Sequence, residues 1–326
     1  MNTQTILNEL ASKKIISDRQ ASLILAYETT KPLSMHWELR LMLYAGILLF
    51  NAGLGIIIYQ NIDTIGHQAI IAAITLLTAS CFYYTYRKSQ PYSNDEVQNS
   101  GKLQEYALLL GCVSFLALEG YLQFQYGLFG SRYGIAIIIP TILFFASAYR
   151  FDHRGVLSMA VTGLASWLGL SIAPLSVLSG NNLTDLKILA AAIILGTLLT
   201  VTGWLSEGLS IKKHFSYTYI FLGGNLAELA VLSGLFEQPH KVIYAILSIS
   251  FCSFFILRAR QNQSLLFLLL GVIYTYITVT NLLFFILGDS LFFSLQAVYL
   301  TFSSVAVIYF LLNYKKFLRI QDEKSI

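Results

Sequence analysis

Ten stretches of about twenty predominantly apolar residues recur along this 326-residue chain, and they limit its fold more than any other feature. They cover roughly 40–60, 68–86, 104–124, 133–150, 155–174, 186–206, 214–236, 241–258, 264–287 and 290–313. A bilayer core about 30 Å thick is crossed by about 20 helical residues rising 1.5 Å each, so every run is long enough to span. Hydrocarbon offers the backbone amides no partner, which leaves helices and closed barrels as the only spanning structures. The runs lack the apolar–polar alternation of a barrel strand. The expected fold is therefore an all-α polytopic membrane helix bundle of about ten transmembrane helices. Composition agrees, with 56% hydrophobic and 12% charged residues. Soluble domains carry about 25% charged residues, so this balance excludes an ordinary soluble enzyme, a disordered tail protein and a nucleic-acid binder.

The basic residues test the count independently. With ten spans, both termini and every second connector share one side. That side holds Lys13, Lys14, Arg19, Lys31, Arg40, Arg87, Lys88, Lys102, Arg150, Arg154, Lys212, Lys213, Arg258, Arg260, Lys315, Lys316, Arg319 and Lys324. Only Arg132, Lys187 and Lys241 fall opposite. An even split would follow from chance, so the positive-inside rule predicts that both termini face the cytoplasm. The first apolar run begins near Leu41, behind some forty mixed residues, and no cleaved signal peptide is expected. Cys81, Cys112 and Cys252 all lie inside apolar runs without ligand spacing, which predicts neither a disulfide framework nor a metal site.

Three segments follow from this reading. Residues 1–38 form a cytoplasmic amphipathic helical hairpin, 39–314 the ten-span membrane domain, and 315–326 a short basic cytoplasmic tail. In the hairpin, Ile6 and Leu10 recur at helical spacing, and Ser17-Asp18-Arg19-Gln20 is a capping-box pattern opening a second helix. Leu23, Ile24 and Tyr27 give that helix its apolar face. Two short helices bury little alone, so the hairpin is expected to dock on the membrane domain, on a second copy in a homo-oligomer, or on a protein partner. The polar connector from Ser89 to Lys102 is expected to be mobile.

Several residues carry a family resemblance. They are the hairpin, then His36-Trp37-Glu38-Leu39-Arg40, the glycine-rich first span ending Gly53-Leu54-Gly55, and Asn61-Ile62-Asp63-Thr64-Ile65-Gly66-His67. Over roughly the first 90 residues the chain resembles bacterial membrane proteins of the domain of unknown function 2157 family. The resemblance implies a bacterial inner-membrane protein with a cytoplasmic amino-terminal helical segment. It implies no activity and brings no catalytic residues.

Polar groups within the apolar runs are the candidate site. A charge at mid-bilayer costs several kcal/mol, so each asks for a reason. Glu119 lies in the third span and Glu228 in the seventh, each in the outer third; Asn225 shares the helix face of Glu228. Asn51 and Asn281 lie in the first and ninth spans. All five sit on spans that run outward. One expectation is a polar cavity open to the outside, with the two glutamates carrying protons or cations. The other is plain interhelical hydrogen bonding. Gly223-Gly224 could let the seventh helix unwind, or could simply mark a helix crossing. Asp63 and His67 stand four apart, a weak metal pattern.

Three functions stay open. The first is a transporter or permease-like protein for a small solute or lipid-like molecule. The second is a non-transporting scaffold or sensor whose hairpin binds a partner. The third, an intramembrane enzyme, has no catalytic constellation behind it. No nucleotide motif is present, and neither a cofactor nor nucleic acid is expected; the lipid bilayer is the one certain partner.

Overall fold

The computed structural model describes residues 17, 20, 36–97, 101–130, 132–172, 184–287 and 292–318. Within them every regular element is helical. Ten long helices follow one another: α1 (His36–Ile65), α2 (His67–Lys88), α3 (Lys102–Tyr126), α4 (Tyr133–Phe151), α5 (Arg154–Ile172), α6 (Leu186–Gly208), α7 (Ser216–Glu237), α8 (Lys241–Asn262), α9 (Leu265–Leu287) and α10 (Phe292–Leu312). Each coincides with one of the ten apolar runs. Eight of these segments, those of α2 to α9, are long and apolar enough to cross a membrane, and α1 and α10 contribute the shorter apolar stretches Leu41–Ile57 and Val298–Phe310. Large apolar side chains stay exposed along them, among them Leu76, Ile142, Ile194, Ile246 and Phe302. Water would penalise such a surface and hydrocarbon does not. The chain is an integral membrane helix bundle.

Residues up to Ile57 and residues from Ile58 onward form two compact units. In the first, the hairpin face of Ile6, Leu10, Leu23, Ile24 and Tyr27 lies outside the described residues. The capping box is seen: the Ser17 N–H donates to Gln20 Oε1 at 2.9 Å, and the Gln20 N–H donates to Ser17 Oγ at 3.3 Å. Two otherwise orphaned helix-start donors are satisfied reciprocally.

In the second unit, contacts between connectors establish the alternation of ends. Arg150 donates to Gln90 O at 3.0 Å, Arg154 pairs with Glu96 at 2.7 Å, Lys212 pairs with Asp152 at 2.9 Å, and Arg258 pairs with Glu207. The α2–α3, α4–α5 and α6–α7 connectors and the carboxyl-terminal part of α8 therefore share one end. At the other, His67 Nδ1 meets Tyr121 OH at 2.8 Å, and Gln238 donates to Thr184 O at 2.8 Å. Both ring nitrogens of His67 are engaged, since Nε2 lies 3.1 Å from Gln125 Nε2.

The basic end is more ordered than its polarity suggests. Asp152, left-handed at the end of α4, accepts from Lys212 Nζ at 2.9 Å, from His214 Nε2 at 2.5 Å and from the Val97 N–H at 2.6 Å. Lys212 is 1% exposed; its N–H donates to Asn94 O at 2.9 Å, and its ammonium stands 5.0 Å over the Tyr92 ring. Residues 89–97 are thus pinned against the α4–α5 and α6–α7 connectors, contrary to the mobility expected from their composition. Buried charges require partners, and here the partners come from a stretch that reads as loop.

The interior is organised around α7. Its apolar window is 61% buried, against 22–33% in the other seven. It packs most extensively on α6, where small residues bring two backbones together. A Cβ on Gly223 would stand 2.6 Å from Leu199 Cβ and 2.8 Å from Gly196 O; one on Gly196 would stand 2.5 Å from Gly223 O. Gly224 faces the Phe255 ring of α8 at a hypothetical 2.5 Å. The two glycines therefore serve a helix crossing, and α7 stays helical through them. Cys81, Cys112 and Cys252 are free, buried thiols.

Candidate functional site

Asn225 and Glu228, one turn apart on α7, face α8 and α9. Starting α7 at Ser216 puts Glu228 twelve residues in, about 18 Å along the axis and nearer mid-span than the sequence suggests. No part of Glu228 is exposed. Ser248 of α8 donates its hydroxyl to Glu228 Oε1, and Cys252, one turn on, donates its thiol to the same oxygen at 3.7 Å. Thr278 Oγ1 of α9 lies 2.6 Å from Ser248 Oγ. A serine has a single hydroxyl proton, which here goes to Glu228, so Thr278 is the donor to Ser248. The result is a directed chain from Thr278 through Ser248 to Glu228 across three helices. Asn225 is equally committed: Nδ2 donates to Phe221 O, and Oδ1 accepts from Tyr274 OH, both at 2.6 Å. Glu228 Oε2 alone is buried without a partner. Phe255 and Phe267, both fully buried, close the cluster off on the Gly224 side.

Glu119 occupies a different kind of place. It lies on α3, seven residues before the helix ends at Tyr126, about 10 Å from that end. It is 7% exposed, and neither carboxylate oxygen has a hydrogen-bond partner. It lines a cavity of about 540 Å³ between α3 and α4, with Gly120, Gln123, Phe124, Tyr133 and Ala136 around it. Gln123 is not free to pair with it. The Gln123 amide donates to Gly130 O at 2.9 Å and accepts from the Phe129 N–H at 2.8 Å, stapling the α3–α4 turn. Leu116 and Ile137 form a common wall with a second cavity of about 470 Å³, bounded by Pro140, Phe144, Met159 and Gly163 of α4 and α5.

Of the five residues singled out in the sequence, the four that lie in the second unit do not converge on one cavity. Asn225 and Glu228 share a sealed cluster, and Asn281 lies one turn beyond Thr278 on α9, half-buried, with Oδ1 unpartnered. Glu119 of α3 belongs to the wall of a separate cavity. Asn51, in the other unit, donates to Ile47 O of its own helix at 2.9 Å. Sequence reasoning missed Ser248, Cys252, Tyr274 and Thr278. Their signal was present: each pair stands four residues apart in an apolar run, one polar stripe per helix. The cavity-lining Phe124 and Tyr133 gave no such signal. Among the described residues no His, Cys, Asp or Glu set is arranged to hold a metal ion.

Residues 8–157 match the family model described as Predicted membrane protein (DUF2157). The family resemblance is therefore real, and it runs from residue 8 through α4 into α5, beyond the first 90 residues. It covers the helix that carries Glu119 and stops short of the helices around Glu228. No curated protein and no solved structure matches the chain significantly.

Proposed function

We propose that this membrane protein is permease-like and moves a small or lipid-like molecule, with Glu119 on the path. The observation that carries the reading is Glu119: it stands in the wall of a cavity of ligand size, and both its carboxylate oxygens are buried without a partner. Ligand cavities run to about 300–1,000 Å³, and an unpaired acid at membrane depth is costly enough to need a use. In the same reading the protein lies in a bacterial inner membrane with both termini in the cytoplasm. The support is the concentration of lysine and arginine at the end where Asp152 and Lys212 lie.

A permeation path must be reachable from both faces during the cycle. Ala136→Cys places a thiol in the cavity wall, against three buried native thiols that give little background. An impermeant maleimide is expected to label it both in intact cells and in inverted vesicles. Labelling from one face alone would leave a binding pocket and remove the path.

The scaffold reading keeps one observation of its own, the reciprocal Ser17–Gln20 hydrogen bonds in the amino-terminal segment. It predicts that deleting residues 1–30 abolishes capture of a partner or a second copy while Glu119→Gln is silent.

A further inference from the structure

We infer that residues 89–97 are a releasable strap, locked onto the Asp152–Lys212–His214 cluster, that holds the basic ends of α3 and α4 together. This rests on the reading of the α3–α4 cavity as the functional one and names the gate between that cavity and the cytoplasm.

The packing shows where the bundle can part. Among the described residues α3 packs chiefly on α2, and α4 chiefly on α5, while α3 and α4 touch each other far less. The cavity therefore lies on a seam between two helix pairs. Toward the basic end, Leu108 and Cys112 of α3 share one buried apolar cluster with Phe144 and Ala148 of α4. Lipid tails are as apolar as these side chains, so in a membrane such contacts alone give no hydrophobic drive to keep helices together. The tie across the end of the seam is polar. The strap precedes α3, and Asp152 ends α4. The Val97 N–H donates to Asp152 Oδ2 at 2.6 Å, while Oδ1 accepts from Lys212 Nζ at 2.9 Å and from His214 Nε2 at 2.5 Å. In return the Lys212 N–H donates to Asn94 O at 2.9 Å, and its ammonium stands over the Tyr92 ring. One carboxylate thus joins the α2–α3, α4–α5 and α6–α7 connectors.

Three properties make this tie releasable. Buried charges gain little from each other beyond the hydration they give up, so at an aqueous end the pair separates and is solvated again at small net cost. Lys212 has a φ of 48°, a left-handed backbone that lysine rarely adopts and that persists only where its surroundings hold it. Release relaxes it. The strap is otherwise thinly anchored: Tyr92, Asn94, Asp95 and Glu96 are exposed, and the Glu96–Arg154 pair lies in water, where it contributes little.

The test follows backbone hydrogen exchange by mass spectrometry in the full-length protein in lipid nanodiscs. The Val97 and Lys212 amides, which donate across the tie, are expected to exchange in step and at least tenfold faster than the amides of α7. Val97→Pro removes one donor to Asp152 and no charge, and should speed exchange at Lys212 at least tenfold. Tyr92→Ala, which takes away the ring under the ammonium, should act in the same direction. Exchange at Lys212 that ignores both substitutions would overturn the inference. Should the variants fail to fold, the wild type still decides: Val97 and Lys212 amides as slow as those of α7 refute a strap that opens on its own. Labelling at position 136 separates this inference from the permease reading. In Val97→Pro, labelling of Ala136→Cys in inverted vesicles is expected to quicken at least tenfold, and labelling in intact cells to stay the same. Two-sided labelling that Val97→Pro leaves unchanged would sink the gate and keep the path. Coupled exchange of the two amides with labelling from one face alone would keep the strap and sink the path.

Discussion

Glu119 and Glu228 are the same residue type, each in a span that runs the same way, and the structure gives them opposite surroundings. Around Glu228, three helices contribute Ser248, Cys252 and Thr278, and the carboxylate is closed to everything outside. Around Glu119, a cavity lies between two helices, and neither oxygen is hydrogen-bonded. The two share none of the residues named around them. The difference teaches that burial alone does not identify a working acid inside a membrane protein. What separates the two acids is that one oxygen of Glu228 is held by side chains of a neighbouring helix, whereas neither oxygen of Glu119 is held. The sealed cluster consists of interhelical hydrogen bonds, and the cavity is what the proposed function rests on.

A third buried acid sets the upper scale for what partners do. Asp152 is held by Lys212, His214 and a backbone amide, so Asp152→Ala strands a buried ammonium. A loss of about 3–5 kcal/mol is expected in reversible unfolding, together with new proteolysis within residues 89–97. At Glu228, removal of the side chain by Glu228→Ala leaves the Ser248 hydroxyl without its acceptor and opens a void at the crossing. The expected cost is about 1–3 kcal/mol. Ser248→Ala breaks the same chain one link earlier and should cost roughly 0.6–1.7 kcal/mol, the range of interhelical hydrogen bonds in lipid. Glu119→Gln comes last: it breaks no hydrogen bond and removes an unpaired buried acid, so stability should be kept or raised. A Glu119 variant as unstable as the Glu228 variant would erase the contrast between the two acids.

Much of the fold was legible because its solvent imposes simple rules. Ten apolar runs became ten helices, and the side-by-side placement of the basic connectors followed the alternation of Lys and Arg. The Ser17–Gln20 box also took the form its spacing predicts. The site was legible only in part. Glu228 and Asn225 fall on one helix face by arithmetic, but Ser248, Cys252, Tyr274 and Thr278 come from other helices, and neighbourhood between helices is not encoded in periodicity. The Glu119 cavity depends on how α3 and α4 pack, which no residue reports by itself. The order of residues 89–97 was hidden for a related reason: its determinants, Asp152 and Lys212, lie some 55 and 118 residues away from Val97 and Asn94, the groups they hold.

The contrast between the acids is tested most directly by carbodiimide modification of the full-length protein in lipid nanodiscs, with site occupancy read by mass spectrometry. A hydrophobic carbodiimide reaches carboxyl groups that open onto lipid or a membrane cavity and misses those sealed within a helix crossing. Modification at Glu119 with none at Glu228 is the expected result. Modification at Glu228, or an unreactive Glu119, would contradict it.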